Sequence, residues 1–472
     1  MTARLTPVAL HGLILLFLRY PDRRDPREYG TSRYGAMLSP RDQTMPTRQA
    51  YRFYYGWVIV ALSFLTLFLT IGIRFSFGVF YVAILEEYGW GRGETAGAFS
   101  LALVMHALFA GVTGTLIDRF GPRILFPLGA TLLAIGLAAA SRITMIWQLY
   151  LFFGVIMAIG LNTLGFAPHM SLIPKWFIRK RGLAGGLALA GIGAGTMTLA
   201  PVIQVMIDHL GWRAAFLALG GIVFGVVVPT TALFHRRSPA EVGQYPDGLP
   251  PPAEKTAPPP SSLSSPGWTL RTALRTRAFW WMALVVFSLS FHTNTLVVHQ
   301  AAHIVDAGYS RILAASLVGM VGLLRSIGGI LGGALSDRVG REVGYTLGSG
   351  AAFVGILLFL LVQDTSAPWM LYAFVLLYGL GYGSMGPIYA ATLADLFPGN
   401  SLGRILGILE IGFGLGGAVG AYTGGYLYDR LGNYTLSLQL LLVSVCLGAL
   451  GIWMAGPRHR IASRSPLRRP LQ

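Results

Sequence analysis

The stretch Gly114-Thr115-Leu116-Ile117-Asp118-Arg119-Phe120-Gly121-Pro122-Arg123 is a polar hinge set between two long apolar runs. It returns as Gly333-Ala334-Leu335-Ser336-Asp337-Arg338-Val339-Gly340-Arg341-Glu342. Gly, Leu, Asp, Arg and Gly hold the same relative positions in both copies, about 219 residues apart. Two helices must turn tightly at a membrane surface here, so glycines carry the bend and let the helices approach. The Asp and Arg then reach polar groups at a neighbouring helix end, a latch on one face of the protein formed by Asp118, Arg119, Arg123, Asp337 and Arg338. One such hinge is an ordinary solvated turn. Two, at half-chain spacing, point to a duplicated architecture.

Of the 472 residues, 54% are hydrophobic and 12% charged, and the mean hydropathy is +0.60. Soluble domains carry about 25% charged residues, so lipid must solvate much of this chain. The alternation of polar and apolar residues that marks a β-barrel is absent, which leaves an all-α polytopic membrane protein. The net charge of +17 would suggest a nucleic-acid partner in a soluble protein, but no aromatic-plus-basic platform accompanies it. Placing both Asp-Arg loops on one side puts roughly 29 Lys and Arg there, tails included, against about five in the opposite loops. That asymmetry predicts cytoplasmic termini and cytoplasmic Asp-Arg loops. The single cysteine, Cys446, excludes an internal disulfide and a multi-Cys metal site.

Residues 1–52 form an Arg- and Pro-rich cytoplasmic tail, expected to be disordered. Its one apolar patch, Val8 to Leu18, is too short to span and has no cleavage site after it, and Met45 is a candidate start. Spans are expected near 55–83, 96–117, 123–141, 146–172, 182–207 and 213–234, then 279–303, 311–335, 343–363, 368–393, 402–427 and 434–455. The domain plan is therefore a six-helix bundle at 53–234, a Pro/Ser-rich cytoplasmic linker at 235–277, a second bundle at 278–456 and a basic tail at 457–472. The linker reads as a flexible tether. The duplication extends past the hinges: Asp208-His209-Leu210-Gly211 parallels Asp429-Arg430-Leu431-Gly432, and the same register pairs Gly182 with Gly403, Gly191 with Gly412 and Gly193 with Gly414.

The doubled hinge resembles the loop between the second and third helices of major facilitator superfamily transporters, with its counterpart in the second half. Trp176-Phe177-Ile178-Arg179-Lys180-Arg181-Gly182-Leu183-Ala184-Gly185-Gly186-Leu187-Ala188-Leu189-Ala190-Gly191 resembles the monocarboxylate transporter signature of two aromatics, a basic triplet, Leu-Ala and alternating small residues. Tyr55-Gly56-Trp57 and Ile73-Arg74-Phe75-Ser76-Phe77-Gly78-Val79-Phe80 look like bacterial members of that family, including oxalate/formate antiporter relatives. The resemblance implies twelve helices in two pseudo-symmetric bundles, with the substrate site at the midplane between them. On their own chemistry, the basic triplet anchors a helix end in anionic headgroups and the small residues allow close helix packing.

Charges inside apolar runs are costly and mark function. Arg325 lies near the middle of the eighth span, where the family carries an arginine that binds the substrate carboxylate; the planar guanidinium suits that task, and the competing reading is an ion pair with Glu410. Arg74, in the outer half of the first span, is a ligand or gate, or else snorkels to the interface. Glu410 is the one carboxylate clearly inside a span. It either carries a coupling proton or pairs with a basic gate residue such as Arg404 or Arg338. Two departures from the family stand out: an Asp common four residues before the eighth-span Arg is Val321 here, and the eleventh-span Lys of oxalate exchangers is missing. In the seventh span His292, His299 and His303 share a stripe with Asn294 nearby, read as cavity-facing and not as a metal site. His106, Asn162, Tyr378 and Tyr382 are further candidate liners, or else interhelical hydrogen-bond partners.

The expected function is secondary active transport of a small organic monocarboxylate across a bacterial plasma membrane, by proton symport or anion exchange, acting as a monomer in lipid. No cofactor and no nucleic acid enter this reading, and no catalytic constellation points to an enzyme. The alternatives are an exporter of amphipathic drugs, which predicts a large aromatic cavity with an embedded acid, and a family member that senses an anion without moving it.

Overall fold

The structure, a computed structural model, describes residues 54–248, 268–398 and 401–456, apart from the side chain of Asp118. The expected N-terminal tail, the centre of the linker and the basic C-terminal tail lie outside the described residues. The described part belongs to one compact unit, helical with no strand among the described residues. Among the described residues, eleven stretches are long and apolar enough to cross a membrane, and one of them, Arg181–Phe234, is two helices. Its Gly211 has φ 80° and ψ 155°, a turn open only to a residue without Cβ. This gives twelve helices: α1 Gly56–Tyr88, α2 Arg92–Phe120, α3 Pro122–Ala140, α4 Ile146–Trp176, α5 181–210, α6 212–234, α7 Arg277–Asp306, α8 Arg311–Val339, α9 Arg341–Leu361, α10 Trp369–Leu396, α11 Leu402–Leu431 and α12 Thr435–Ala455. Every expected span has its helix. The termini differ mainly at α1, which continues to Tyr88 past a break at Ser76 (φ −86°, ψ 4°). Arg74 therefore stands only just past the middle of α1, nearer mid-membrane than the expected span placed it.

α1–α6 and α7–α12 form two bundles that meet chiefly along α2 with α11 and α5 with α8, with α1 against α7. The sequence repeat is a spatial one. A Cβ on Gly193 would lie 2.2 Å from Ser326 Oγ, and one on Gly414 would lie 2.6 Å from Ala107 Cβ. Ala107 precedes Ser326 by the same 219 residues as the two hinges. Missing side chains at equivalent positions let both crossings close.

This closeness is confined to one end. In the halves of α2, α5 and α11 next to the Asp-Arg hinges, a Cβ on Gly111, Gly114, Gly182, Gly186, Gly403 or Gly407 would meet nothing within 4 Å. The bundles thus press together at the opposite end and diverge toward the Asp-Arg end.

The two segments that carry the family resemblance meet in space. Trp57 packs on Phe177 with ring centroids 4.9 Å apart, Tyr55 tilts against Trp176 at 5.8 Å, and the Tyr54 hydroxyl bonds to the Trp176 carbonyl. The start of the linker joins them. Asp247 Oδ2 accepts the backbone N–H groups of Ile178 (3.0 Å) and Arg179 (2.8 Å). Residues 239–248 form two 3₁₀ turns there, and His235 is fully buried. The described ends of the linker are therefore docked and not a free tether: an acidic side chain caps the backbone beside the basic triplet.

Candidate substrate site

Arg325 lies at the centre of α8, and its guanidinium carbon sits 4.9 Å from the Phe75 ring and 5.0 Å from the Tyr382 ring. Phe75 is available because α1 breaks at Ser76, and Tyr382 is held by stacking on Tyr378 (5.6 Å, 17°). The charge is thus spread over two aromatic faces. Among the described residues, no carboxylate comes within ion-pair distance of it, so the expected alternative pairing with Glu410 is not formed.

Arg325 opens on a small cavity walled by α1, α5, α7, α8 and α10. Thr196, Thr293, Gln300, Tyr378 and Tyr382 supply its other polar groups, and Phe75, Ile192, Leu296, Val297, Val318 and Val321 its apolar wall. Arg74 interacts electrostatically with Tyr382, Arg325 and Glu410, and His106 with Arg74. Glu410 thus lies in the field of Arg74, and among the described residues it forms no ion pair with Arg404 or Arg338. His106 is also the repeat counterpart of Arg325, 219 residues earlier.

The α7 stripe faces elsewhere than the sequence suggested. The cavity takes Thr293, Leu296, Val297 and Gln300, the next stripe round the helix. His292 Nδ1 lies 3.2 Å from the Tyr378 hydroxyl, and Asn294 Nδ2 donates to Ser290 Oγ at 2.9 Å. The nitrogens of His299 meet the Ala421 carbonyl (2.8 Å) and the Tyr434 hydroxyl (3.2 Å), and His303 Nε2 the Phe359 carbonyl (3.2 Å). The three histidines thus pin α7 to α9, α10, α11 and the α11–α12 turn instead of lining the path, and Asn294 bonds within α7. Asn162 likewise bonds Thr113 Oγ1 at 3.2 Å, between α4 and α2.

The cavity is sealed at the end opposite the Asp-Arg hinges by charges that the sequence reading missed. Arg92, first residue of α2, makes a two-pronged pair with Asp306 at the end of α7 (2.6 and 2.8 Å) and lies 3.7 Å over the Tyr428 ring. Asp429 Oδ atoms accept the Arg92 and Gly93 backbone N–H groups (2.7 and 2.8 Å), capping α2 from the other bundle. Reciprocally, Arg311, first residue of α8, pairs with Glu86 near the end of α1 at 2.7 Å. The Tyr434 hydroxyl, buried beside them, accepts from Arg92 at 2.8 Å.

At the Asp-Arg end, the hinge residues hold contacts within their own bundles. Arg123 Nε donates to the Ala232 carbonyl (3.0 Å), Arg119 lies over Phe120, and Asp337 pairs with Arg341 (2.5 Å), which also reaches Asp395 (3.0 Å).

Comparison with known proteins agrees with this architecture. The sequence model of the Major Facilitator Superfamily matches residues 62–421 and 365–471. Monocarboxylate transporter 11 of Homo sapiens is 30% identical over 86% of this chain and 83% of its own. Monocarboxylate transporter 13 of Bos taurus is 28% identical over 88% and 92%. A bacterial homolog of the human lysosomal transporter Spinster, solved in an inward-facing and unoccupied conformation, superposes with a TM-score of 0.66 at 18% identity, covering 87% of this chain and 99% of its own.

Proposed function

The chain belongs to the major facilitator superfamily, in its monocarboxylate transporter family, and from that premise we propose that it moves a small organic monocarboxylate across the plasma membrane by alternating access. It is a multi-pass membrane transporter and not an enzyme. The observation that carries the substrate class is Arg325: a guanidinium at mid-membrane, on a cavity wall between the bundles, with rings on its faces and no carboxylate partner among the described residues. A charge so placed needs a counter-ion, and a carboxylate matches its fork. Charge balance supports a monoanion. Arg74 and Arg325 against Glu410 leave one positive charge in excess, which one carboxylate neutralises.

The Lys/Arg asymmetry puts the Asp-Arg end in the cytoplasm, so the structure corresponds to a state closed outside. Asp118, Arg119, Arg123, Asp337 and Arg338 then serve as the latch of the opposite state, when the halves close on the cytoplasmic side. Glu410, in the field of Arg74, is the group that takes a proton in a symport cycle; anion exchange needs no such step. Uptake of radiolabelled pyruvate or lactate into vesicles, with and without an inward proton gradient, tests both parts. Arg325→Gln should abolish uptake at unchanged protein abundance, and undiminished transport by that variant refutes the site. Stimulation by the gradient that is lost in Glu410→Gln supports symport, whereas gradient-independent exchange assigns the antiport cycle.

A further inference from the structure

The cavity has a second polar end that the carboxylate does not use. Gln300 is only 3% exposed, lines the wall, and its amide Nε2 has no hydrogen-bond partner. Its polar neighbours are engaged: Thr293 donates to the Leu289 carbonyl (2.7 Å), Thr196 to the Ile192 carbonyl (2.9 Å), and Tyr378 meets His292 (3.2 Å). A buried amide without a partner is destabilising unless a ligand completes it.

Its position relative to Arg325 fixes what that ligand looks like. α7 ends and α8 begins at the sealed end, and Gln300 lies six residues from Asp306 while Arg325 lies fourteen from Arg311. At 1.5 Å per residue their backbones differ in depth by about 12 Å. Helical side chains lean toward their own N-terminus, and these helices are antiparallel. The amide therefore tilts inward, the guanidinium outward, and the two heads converge on the space between them. That space is walled by Phe75, Leu296, Val297, Val318 and Val321, so the middle of the ligand is apolar.

We propose that Gln300 is the second anchor of the substrate, donating to an uncharged carbonyl or hydroxyl oxygen at the end of a short aliphatic acid remote from the carboxylate on Arg325. The proposal rests on the monocarboxylate reading above. It also excludes dicarboxylates: the nearest cation at that end, Arg92, is already held by Asp306 and Tyr428, so a second carboxylate would lie there unneutralised.

The test uses the full chain in proteoliposomes loaded with radiolabelled hexanoate, competed by hexanoate, 5-oxohexanoate and adipate. In the wild type, 5-oxohexanoate should compete about tenfold better than hexanoate, the order expected when one buried neutral donor is left unpaired. Adipate should compete worst. In Gln300→Leu the ratio of 5-oxohexanoate to hexanoate should fall to one or below, and being a ratio it is independent of how much protein reconstitutes. The wild-type ratio stands by itself if that variant does not fold. Hexanoate transport with no preference for the oxo acid, or a preference that survives in Gln300→Leu, overturns the subsite and leaves the carboxylate site standing. Absence of any carboxylate flux overturns both.

Discussion

A guanidinium packed between two aromatic faces keeps its charge and its flat fork, and each can be tested separately. Arg325→Lys retains the charge but loses the two-pronged geometry and the ring stacking with Phe75 and Tyr382. We expect KM for the transported acid to rise about tenfold, the size of one charge-assisted hydrogen bond, whereas Arg325→Gln removes transport altogether. Equal activity of Lys and Arg at this position would mean that only the field matters. A different residue reports on stability. His235, just past the membrane span of α6, is fully buried beside His169 and edge-on to Phe126 (4.9 Å), and burial together with His169 pushes its pKa well below the usual value. The unfolded chain thus binds a proton more readily than the folded one, so the contribution is intact above about pH 6.5 and lost as the pH falls below it. His235→Phe should flatten the drop of the unfolding midpoint between pH 7 and 5, read by thermal denaturation in detergent; an unchanged slope would assign that drop to other groups. Arg325 was legible in the sequence because a charge in an apolar run has few explanations. Gln300 was not, since a neutral amide in a helix that also carries three histidines draws no notice. Periodicity put those histidines on one stripe but could not say which neighbours the stripe meets.

Among the elements, the crossings of α5 with α8 and α2 with α11 decide how close the bundles come. Gly193 and Gly414 permit the approach, and the side chains facing them, Ser326 and Ala107, are small. Gly193→Val would drive two methyls into Ser326 and the Gly322 carbonyl, costing roughly 1–3 kcal/mol by overpacking. Gly350, where a Cβ meets nothing within 4 Å, is the control. We expect Gly193→Val to lower the unfolding midpoint and the uptake rate together, and Gly350→Ala to change neither; a silent Gly193→Val would mean that the crossing is looser than the geometry states. The glycine register was readable from the repeat, because equal spacing survives duplication. Which helix each glycine faces was not, since that is set by three-dimensional packing. The linker misled for a related reason: its Pro/Ser composition describes its centre, whereas the docking of its first residues depends on the single carboxylate of Asp247 meeting two free backbone N–H groups.

At the scale of the molecule, two crossed ion pairs hold one end shut, each joining the first residue of α2 or α8 to the end of the partner bundle's α7 or α1. The pairs lay beyond the sequence reading because each carboxylate sits next to its own bundle's loop, where a solvated charge is the ordinary case. They are unequal. Arg311 and Glu86 are each more than two-fifths exposed, and such pairs contribute about 0.2–1 kcal/mol. Arg92 and Asp306 are more buried (18% and 32% exposed) and two-pronged, a geometry worth about 1.5–3 kcal/mol. Opening that end must break both, while closing the Asp-Arg end brings together glycines that now face empty space. Weakening a pair should therefore shift the population toward the other state in proportion to its strength. Because Cys446 is the only cysteine, Cys446→Ser gives a blank background in which Val318→Cys reports access to the cavity wall from outside. A membrane-impermeant maleimide added to right-side-out vesicles should label that cysteine about tenfold faster or more in Arg92→Ala, and at most about fivefold faster in Arg311→Ala. Equal acceleration by the two variants would make the pairs redundant, and no acceleration by either would place the barrier in the helix crossings alone. Faster labelling only from the other face of the membrane would reverse the orientation deduced from the Lys/Arg count.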